Sequence, residues 1–177
     1  TGSIGLTGRF FTEAATTAGH EVNALQADLL DRKAVTEEIA GAPPDAVVHL
    51  AAISFVGHAN DSAFYAVNTV GTMHLLAALA ALPAPPKKVL IASSANIYGN
   101  CDASPIAETQ SPAPVNHYAM SKLAMEYMAR TFMDRMPIIT TRPFNYTGPG
   151  LDLNFVIPKL VDHYARRASV VELGNLQ

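Results

Sequence analysis

Apolar positions along the chain fall into two alternating patterns. Short aliphatic and β-branched runs at 46–50 (AVVHL), 88–92 (KVLIA) and 138–141 (IITT) lack period-two polarity. Such runs predict strands of a parallel sheet with both faces covered. Between and around them, helical patterns cover 8–18, 34–40, 63–82, 117–135 and 155–167. Pro83, Pro85 and Pro86 stop the third of these before the next strand begins. Strand alternating with helix predicts an α/β protein built on a doubly wound parallel sheet. The stretch 101–114 is polar and contains three prolines, so it predicts a surface loop over the carboxyl edge of that sheet.

Three places are abbreviated for such a fold. A glycine-rich turn, TGSIGLTG, stands at residues 1–8 with no strand in front of it. That strand is central in a doubly wound sheet, and each backbone group left buried and unpaired costs roughly 1–3 kcal/mol. Two strands usually fit between the first helix and Asp28, whereas 19–28 has room for about one. The end, VVELGNLQ, stops just after a strand-like run. The chain is therefore expected to be a piece of a longer protein, without the first strand and most of a smaller substrate domain. Residues 1–150 would form a cofactor-binding domain incomplete at its start, and 151–177 the beginning of the substrate region.

Composition narrows the class. The 177 residues are 49% hydrophobic and 15% charged with a net charge of −3, which excludes a disordered chain. No basic run suggests nucleic acid or an anionic membrane as partner. A single cysteine, Cys101, allows no intrachain disulfide and fits a reducing compartment. No signal peptide and no uninterrupted apolar stretch of membrane-spanning length is visible, so a cytoplasmic location is expected. The six histidines lack close metal-ligand spacing, and no metal site is expected.

In the opening turn, Gly2 permits a tight bend, Gly5 lets the backbone approach a pyrophosphate, and Gly8 allows close helix packing. The helix that follows would aim its unpaired N–H groups at the phosphates. A plain glycine turn explains the same residues when taken alone. Tyr118 and Lys122 stand at i and i+4 on one helical face. A phenol ionises near ~10, and a neighbouring ammonium lowers that value. An incidental aromatic–lysine pair on an exposed helix is the plainer alternative. Ser93 and Ser94 follow the 88–92 strand at its carboxyl end, where α/β sites lie, and a hydroxyl there can bond a substrate oxygen. His49 reads as a packed strand residue. Arg166 and Arg167 either complement a helix C-terminus or meet a phosphate. Met120, Met125, Met128, Met133 and Met136 recur along one predicted helix and suit core or dimer packing.

These motifs occur in one order: the glycine turn, His49-Leu50-Ala51-Ala52, Asn68 with Gly71-Thr72, Ser93 through Gly99 (SSANIYG), Tyr118-x-x-x-Lys122, and Arg142-Pro143-Phe144-Asn145. Together they resemble the extended short-chain dehydrogenase/reductase family of nucleotide-sugar epimerases, dehydratases and reductases. The resemblance implies a Rossmann-like fold, NAD or NADP as cofactor and a nucleotide-diphosphate sugar as substrate. It implies a homodimer through the helices at 63–82 and 117–135. It implies Ser94, Tyr118 and Lys122 as catalytic residues, with Tyr118 as acid/base and Lys122 as its pKa modulator and ribose contact. Gly2, Gly5 and Gly8 would hold the pyrophosphate. Asp28 and Leu29 would meet the adenine, although Asp28 also suits a turn, and Leu50, Ala51 and Ala52 would line the adenosine side. Asn145, Asn154 and Ser94 would contact the substrate, with Asn154 opening a helix near its diphosphate. Residues 170–174 resemble a strand beside the substrate's base. Arg9 is available to a 2′-phosphate or to solvent, so the choice between NAD and NADP stays open.

The resemblance also bears on the reaction. Family dehydratases carry an acid two positions before the tyrosine of the Tyr-Gly pair, and Asn96 stands there. An amide takes no proton at neutral pH, which disfavours dehydration. The runs RPFNYTGPG, FVIPK and ELGNL look most like reductases of GDP-4-keto-6-deoxy-mannose. The alternatives are a nucleotide-sugar 4-epimerase with tightly bound NAD and a catalytically silent cofactor-binding module.

Overall fold

The computed structural model describes residues 1–173. They divide into two compact units, the first Thr1–Phe144 and the second from Asn145 onward. The first unit is built around a sheet of three parallel strands, β1 (Ala46–His49), β2 (Lys88–Ala92) and β3 (Ile138–Thr141), in the order β1-β2-β3. Its helices are α1 (Leu6–Thr17), α2 (Arg32–Gly41), α3 (Asp61–Phe64), a π-helix (Tyr65–Gly71), α4 (Thr72–Ala80), a 3₁₀ helix (Ala95–Tyr98) and α5 (His117–Arg130). The second unit holds α6 (Val156–Ala165). All three predicted strands form, and the parallel α/β class stands.

In-register partners share a face, so Val47, Val89 and Ile138 point the same way, as do His49 and Ile91. This face packs against Val35 and Ile39 of α2, Leu75, Leu76 and Leu79 of α4, and Met125 and Ala129 of α5. Each such side chain taken fully out of water contributes roughly 1.5–3 kcal/mol. The opposite face departs from expectation. Val48 and Leu90 are only half-buried and Ile139 is exposed, because α1 buries only Gly8 and brings no core to that side.

Caps set the helix starts. Asp31 accepts from the Ala34 amide at 3.0 Å to begin α2, and Asn116 accepts from the Ala119 amide at 2.8 Å to begin α5. The predicted helix at 63–82 begins at Asp61 and is split by the π-helix. This stretch, Asp61–Ala80, is long and apolar enough to cross a membrane, with mean hydropathy 1.3, and half of it is buried in the fold. The predicted helix at 117–135 stops at Arg130, where the Thr131 hydroxyl caps the Met128 carbonyl at 2.7 Å. The methionines therefore do not form one stripe. Met125 and Met136 are buried, Met128 is half-buried, Met120 and Met133 are exposed, and the chain turns before the last two of the five.

Two expected strands do not form among the described residues. At 19–28 the amides of Gln26 and Ala27 donate to the Glu38 carboxylate at 2.8 and 2.7 Å instead of to a neighbouring strand. At 170–173 Val170 is exposed and the Glu172 carbonyl accepts from the Lys159 ammonium. Gly174 lies outside the described residues.

Thr1 lies alongside β1 as a parallel partner of His49. Its amino group donates to the Val48 carbonyl at 2.9 Å, and the Leu50 amide donates to the Thr1 carbonyl at 3.3 Å. The glycine turn starts directly behind it. Gly2 has φ +73°, and a Cβ there would lie 2.6 Å from the Ala51 nitrogen. A Cβ on Gly8 would lie 2.0 Å from the Gly2 carbonyl oxygen. The third glycine thus lets α1 close on its own loop. Backbone cannot swing aside as a side chain can, so Gly8→Ala is expected to cost about 1–3 kcal/mol or more. Urea unfolding that leaves the midpoint unchanged would contradict this.

Candidate active site

Ser94, Tyr118 and Lys122 are all buried, at 8%, 8% and 3% exposure. β2 carries Ser94 to the carboxyl edge of the sheet, and the following 3₁₀ helix, against which α5 packs, takes Ser94 as its cap. The Ser94 hydroxyl accepts from the Asn96 amide at 3.2 Å. Tyr118 sits in the first turn of α5 and Lys122 one turn on, both facing inward. The Lys122 ammonium donates to the Ala92 carbonyl at 2.8 Å, two residues before Ser94. Burial pushes the Lys122 pKa down to about 8. The Tyr118 ring meets Phe64 edge-on, with centroids 6.1 Å apart.

The π-helix brings a further buried group here. Asn68 is fully buried. Its amide oxygen accepts from the Ile53 amide at 2.9 Å, and its amide nitrogen donates to the Ile53 carbonyl at 3.1 Å and to the Ser121 hydroxyl at 3.0 Å. Ser121 in turn donates to the Tyr118 carbonyl at 2.7 Å. Asn68 therefore joins the strand-end loop to the backbone of Tyr118. As a residue the sequence had shown only within a motif, it is recognisable by burial and by the π-bulge, which recurs at functional sites.

His49 is packed, as expected. Its Nδ1 bonds the Thr1 hydroxyl at 2.6 Å and its Nε2 bonds the Thr72 hydroxyl at 2.8 Å. Burial, and secondarily the charge of Lys122, push its pKa down to about 3. The unfolded chain takes up a proton near ~6.5 that the fold refuses. Stability is thus lost as pH falls from about 6.5 toward 3. His49→Gln should flatten that acid limb in urea titrations at pH 4 and 7, and an unchanged slope would count against it.

Of the cofactor residues expected from the sequence, Leu50 and Ala51 lie against Gly2 just after β1. α1 starts at Leu6, and its cap residue Gly5 offers no side-chain hydrogen bond to the helix start, where an anion is favoured. A Cβ at Gly5 would meet only the Gly2 oxygen, at 3.4 Å, so that side of the turn is open. Leu50, Ala51 and Ala52 are half-buried beside Gly2. Asp28 is exposed and accepts from the Leu30 amide at 2.9 Å, forming the turn that its residue type suits. Leu29 puts its side chain into the core against Gly71, and its carbonyl bonds the His74 ring at 2.8 Å. The Ser93 hydroxyl is buried with no hydrogen-bond partner at the same sheet edge as Ser94. An uncapped helix start, an open glycine cradle and an orphaned hydroxyl fit a dinucleotide.

In the second unit, Asn145 and Asn154 are exposed. The cap of α6 is Phe155, so Asn154 precedes the helix start and donates its amide to Asp152 at 2.8 Å. Arg166 pairs with Asp162 at 2.6 Å, and Arg167 closes the helix with φ 54°. Among the described residues no cluster of three or more His, Cys, Asp or Glu side chains could hold a metal ion.

Fold and site define a protein of the extended short-chain dehydrogenase/reductase type. More narrowly, the chain belongs to the GDP-mannose 4,6 dehydratase family, whose model matches residues 6–177. It is 40% identical over 149 residues to the GDP-6-deoxy-D-talose 4-dehydrogenase of Aggregatibacter actinomycetemcomitans, covering 84% of this chain and 51% of that protein. It is 34% identical over 164 residues to the UDP-glucose 4-epimerase of Mycoplasma genitalium, covering 84% and 48%. The structure of RMD from Pseudomonas aeruginosa complexed with NADPH superposes with a TM-score of 0.85 at 32% identity, covering 94% of this chain and 60% of that one. The chain spans about half the length of the curated relatives it matches.

Proposed function

We propose that the protein is an NAD(P)-dependent nucleotide-sugar oxidoreductase that reduces the C4 keto group of a GDP-4-keto-6-deoxy-hexose. The observation that carries this is the joint burial of Ser94, Tyr118 and Lys122 around the end of β2, with the Lys122 ammonium anchored on Ala92. The relation to a GDP-sugar 4-dehydrogenase supports the substrate class. When bound, the dinucleotide supplies the hydride. Gly2, Gly5 and Gly8 with the start of α1 hold its pyrophosphate, Asp28, Leu29, Leu50, Ala51 and Ala52 its adenosine end, and Tyr118 and Lys122 its ribose. Tyr118 donates the proton to the sugar oxygen, Ser94 bonds that oxygen, and the Lys122 cation favours the phenolate left behind. Asn145 and Asn154 contact the nucleotide sugar. Residues 1–150 form the cofactor domain and 151–177 open the substrate region.

Asn96 stands where a dehydratase needs its base, so dehydration is not the reaction proposed despite the family's name. A 4-epimerase is the second reading, favoured by the epimerase relatives. A homodimer through the α3–α4 rod and α5 completes the proposal, since Val70, Met73, Met120 and Tyr127 leave apolar surface on those helices. A cytoplasmic location fits the lone cysteine.

The test uses the full-length protein with NADPH and GDP-4-keto-6-deoxy-mannose, following absorbance at the reduced nicotinamide band and the sugar product. Stoichiometric oxidation with a reduced sugar is expected. An isomerised sugar without net oxidation makes the protein an epimerase, and binding without turnover makes it a silent module.

A further inference from the structure

A second buried cluster lies beside the reacting residues, centred on Arg142 directly after β3. Its Nε and Nη2 donate to the two carboxylate oxygens of Glu126 at 3.0 and 2.7 Å. Its Nη1 donates to the Tyr98 hydroxyl at 2.7 Å and to the Glu108 carbonyl at 3.0 Å. The guanidinium carbon also lies 5.2 Å from the centroid of the Tyr98 ring. Glu126 and Tyr98 are 5% and 4% exposed. The Glu126 carboxylate raises the Arg142 pKa, so the cation is permanent.

A buried ion pair is a poor source of stability, because desolvation offsets most of the attraction. Its value is geometric: a planar fork fixes direction as well as distance. The three anchors are informative. Tyr98 ends the 3₁₀ helix that Ser94 caps. Glu126 is one helical turn beyond Lys122 and two beyond Tyr118, on the same buried face of α5. Glu108 belongs to the loop that folds back over the 3₁₀ helix, where the Ala113 amide donates to the Ile97 carbonyl at 2.8 Å.

We propose that Arg142, with Glu126 and Tyr98, is a positioning clamp that locks the Ser94 turn against the Tyr118–Lys122 face of α5. The bonds of Arg142 run to Glu126, Tyr98 and the Glu108 carbonyl; through them the three set where the Ser94 hydroxyl stands relative to the phenol. The inference rests on the oxidoreductase reading above. Lysine cannot replace Arg142, since a single ammonium cannot span a carboxylate in bidentate fashion and reach Tyr98 at once.

The full-length protein and its Tyr98→Phe, Arg142→Lys and Ser94→Ala variants test this, along with the Tyr98→Phe/Ser94→Ala double variant. Tyr98→Phe removes one oxygen and keeps the ring, so the fold is retained. Tyr98→Phe and Arg142→Lys should lower kcat roughly tenfold to a hundredfold, the penalty of a small misplacement. KM and the NADPH Kd should stay within about twofold, since ground-state binding is untouched. In the Ser94→Ala background, Tyr98→Phe should cost little more, because the residue it positions is gone. A kcat that falls only with the urea midpoint, or effects that multiply in the double variant, would overturn the clamp. Wild-type protein that isomerises UDP-glucose without oxidising NADPH overturns the reductase reading alone, and the same ratios are then read on isomerisation. A wild type inert in both assays overturns both.

Discussion

Tyr118→Phe should lower turnover by roughly 10²- to 10⁴-fold, the usual worth of a positioned general acid. The variant deletes one oxygen from a ring that is 8% exposed and packed edge-on against Phe64. Shape is kept, so neither the core nor the glycine cradle should respond. NADPH affinity should fall by no more than the loss of one ribose hydrogen bond, about 1 kcal/mol. Steady-state kinetics and cofactor fluorescence on one preparation separate the two effects. A variant that turns over at the wild-type rate would remove Tyr118 from the mechanism and take the oxidoreductase proposal with it.

Lys122→Met should do two opposite things. Under the proposed mechanism turnover and NADPH affinity fall, because the ammonium assigned there to favour the phenolate and hold the ribose is gone. Stability of the cofactor-free protein rises at pH 7. The fold holds Lys122 at 3% exposure and lowers its pKa from 10.5 to about 8, so keeping the cation buried costs about 3 kcal/mol at ~1.4 kcal/mol per unit. Losing the bond to the Ala92 carbonyl gives back about 1 kcal/mol, which leaves a net gain of about 2 kcal/mol. The pH dependence has a definite sign. Between about 8 and 10.5 the unfolded chain binds a proton that the folded one does not, so wild-type stability rises with pH through that window. The methionine variant lacks this rise. Urea unfolding at pH 7 and pH 9.5 measures both quantities, and a variant less stable than wild type at pH 7 would refute the account.

The strands were readable because three uninterrupted aliphatic runs have few other uses, and β2 and β3 match their expected bounds to the residue. That Tyr118 and Lys122 share a buried helix face was readable from spacing, since i and i+4 lie one turn apart, whereas their proposed role came from the resemblance and not from the spacing. The same spacing extended once more reaches Glu126, and with Arg142 inside a quoted motif the clamp could have been sought. The buried acid is what a sequence pattern does not reveal. The π-helix was hidden because apolar residues continue through 63–82, while its extra residue per turn is set by what Asn68 and Thr72 bond. The helix expected over 117–135 ends at Arg130, where the Thr131 hydroxyl turns back to the Met128 carbonyl, a bond that the pattern of apolar positions does not show. Coverage of the sheet's second face depended on how α1 packs, which local composition does not state.

The π-helix makes the rod between Asp61 and Ala80 sensitive to counting. One surplus residue offsets the halves on either side by about 100°, the angle per residue of an ordinary helix. Excising a single residue between Tyr65 and Gly71 would leave a longer, more regular helix and rotate one half out of phase with the other. Either Asn68 would swing away from Ile53 and Ser121, or Leu75, Leu76 and Leu79 would leave the core. The irregularity is thus a phase adjuster, and local regularity would be gained only by unseating the floor beneath Tyr118.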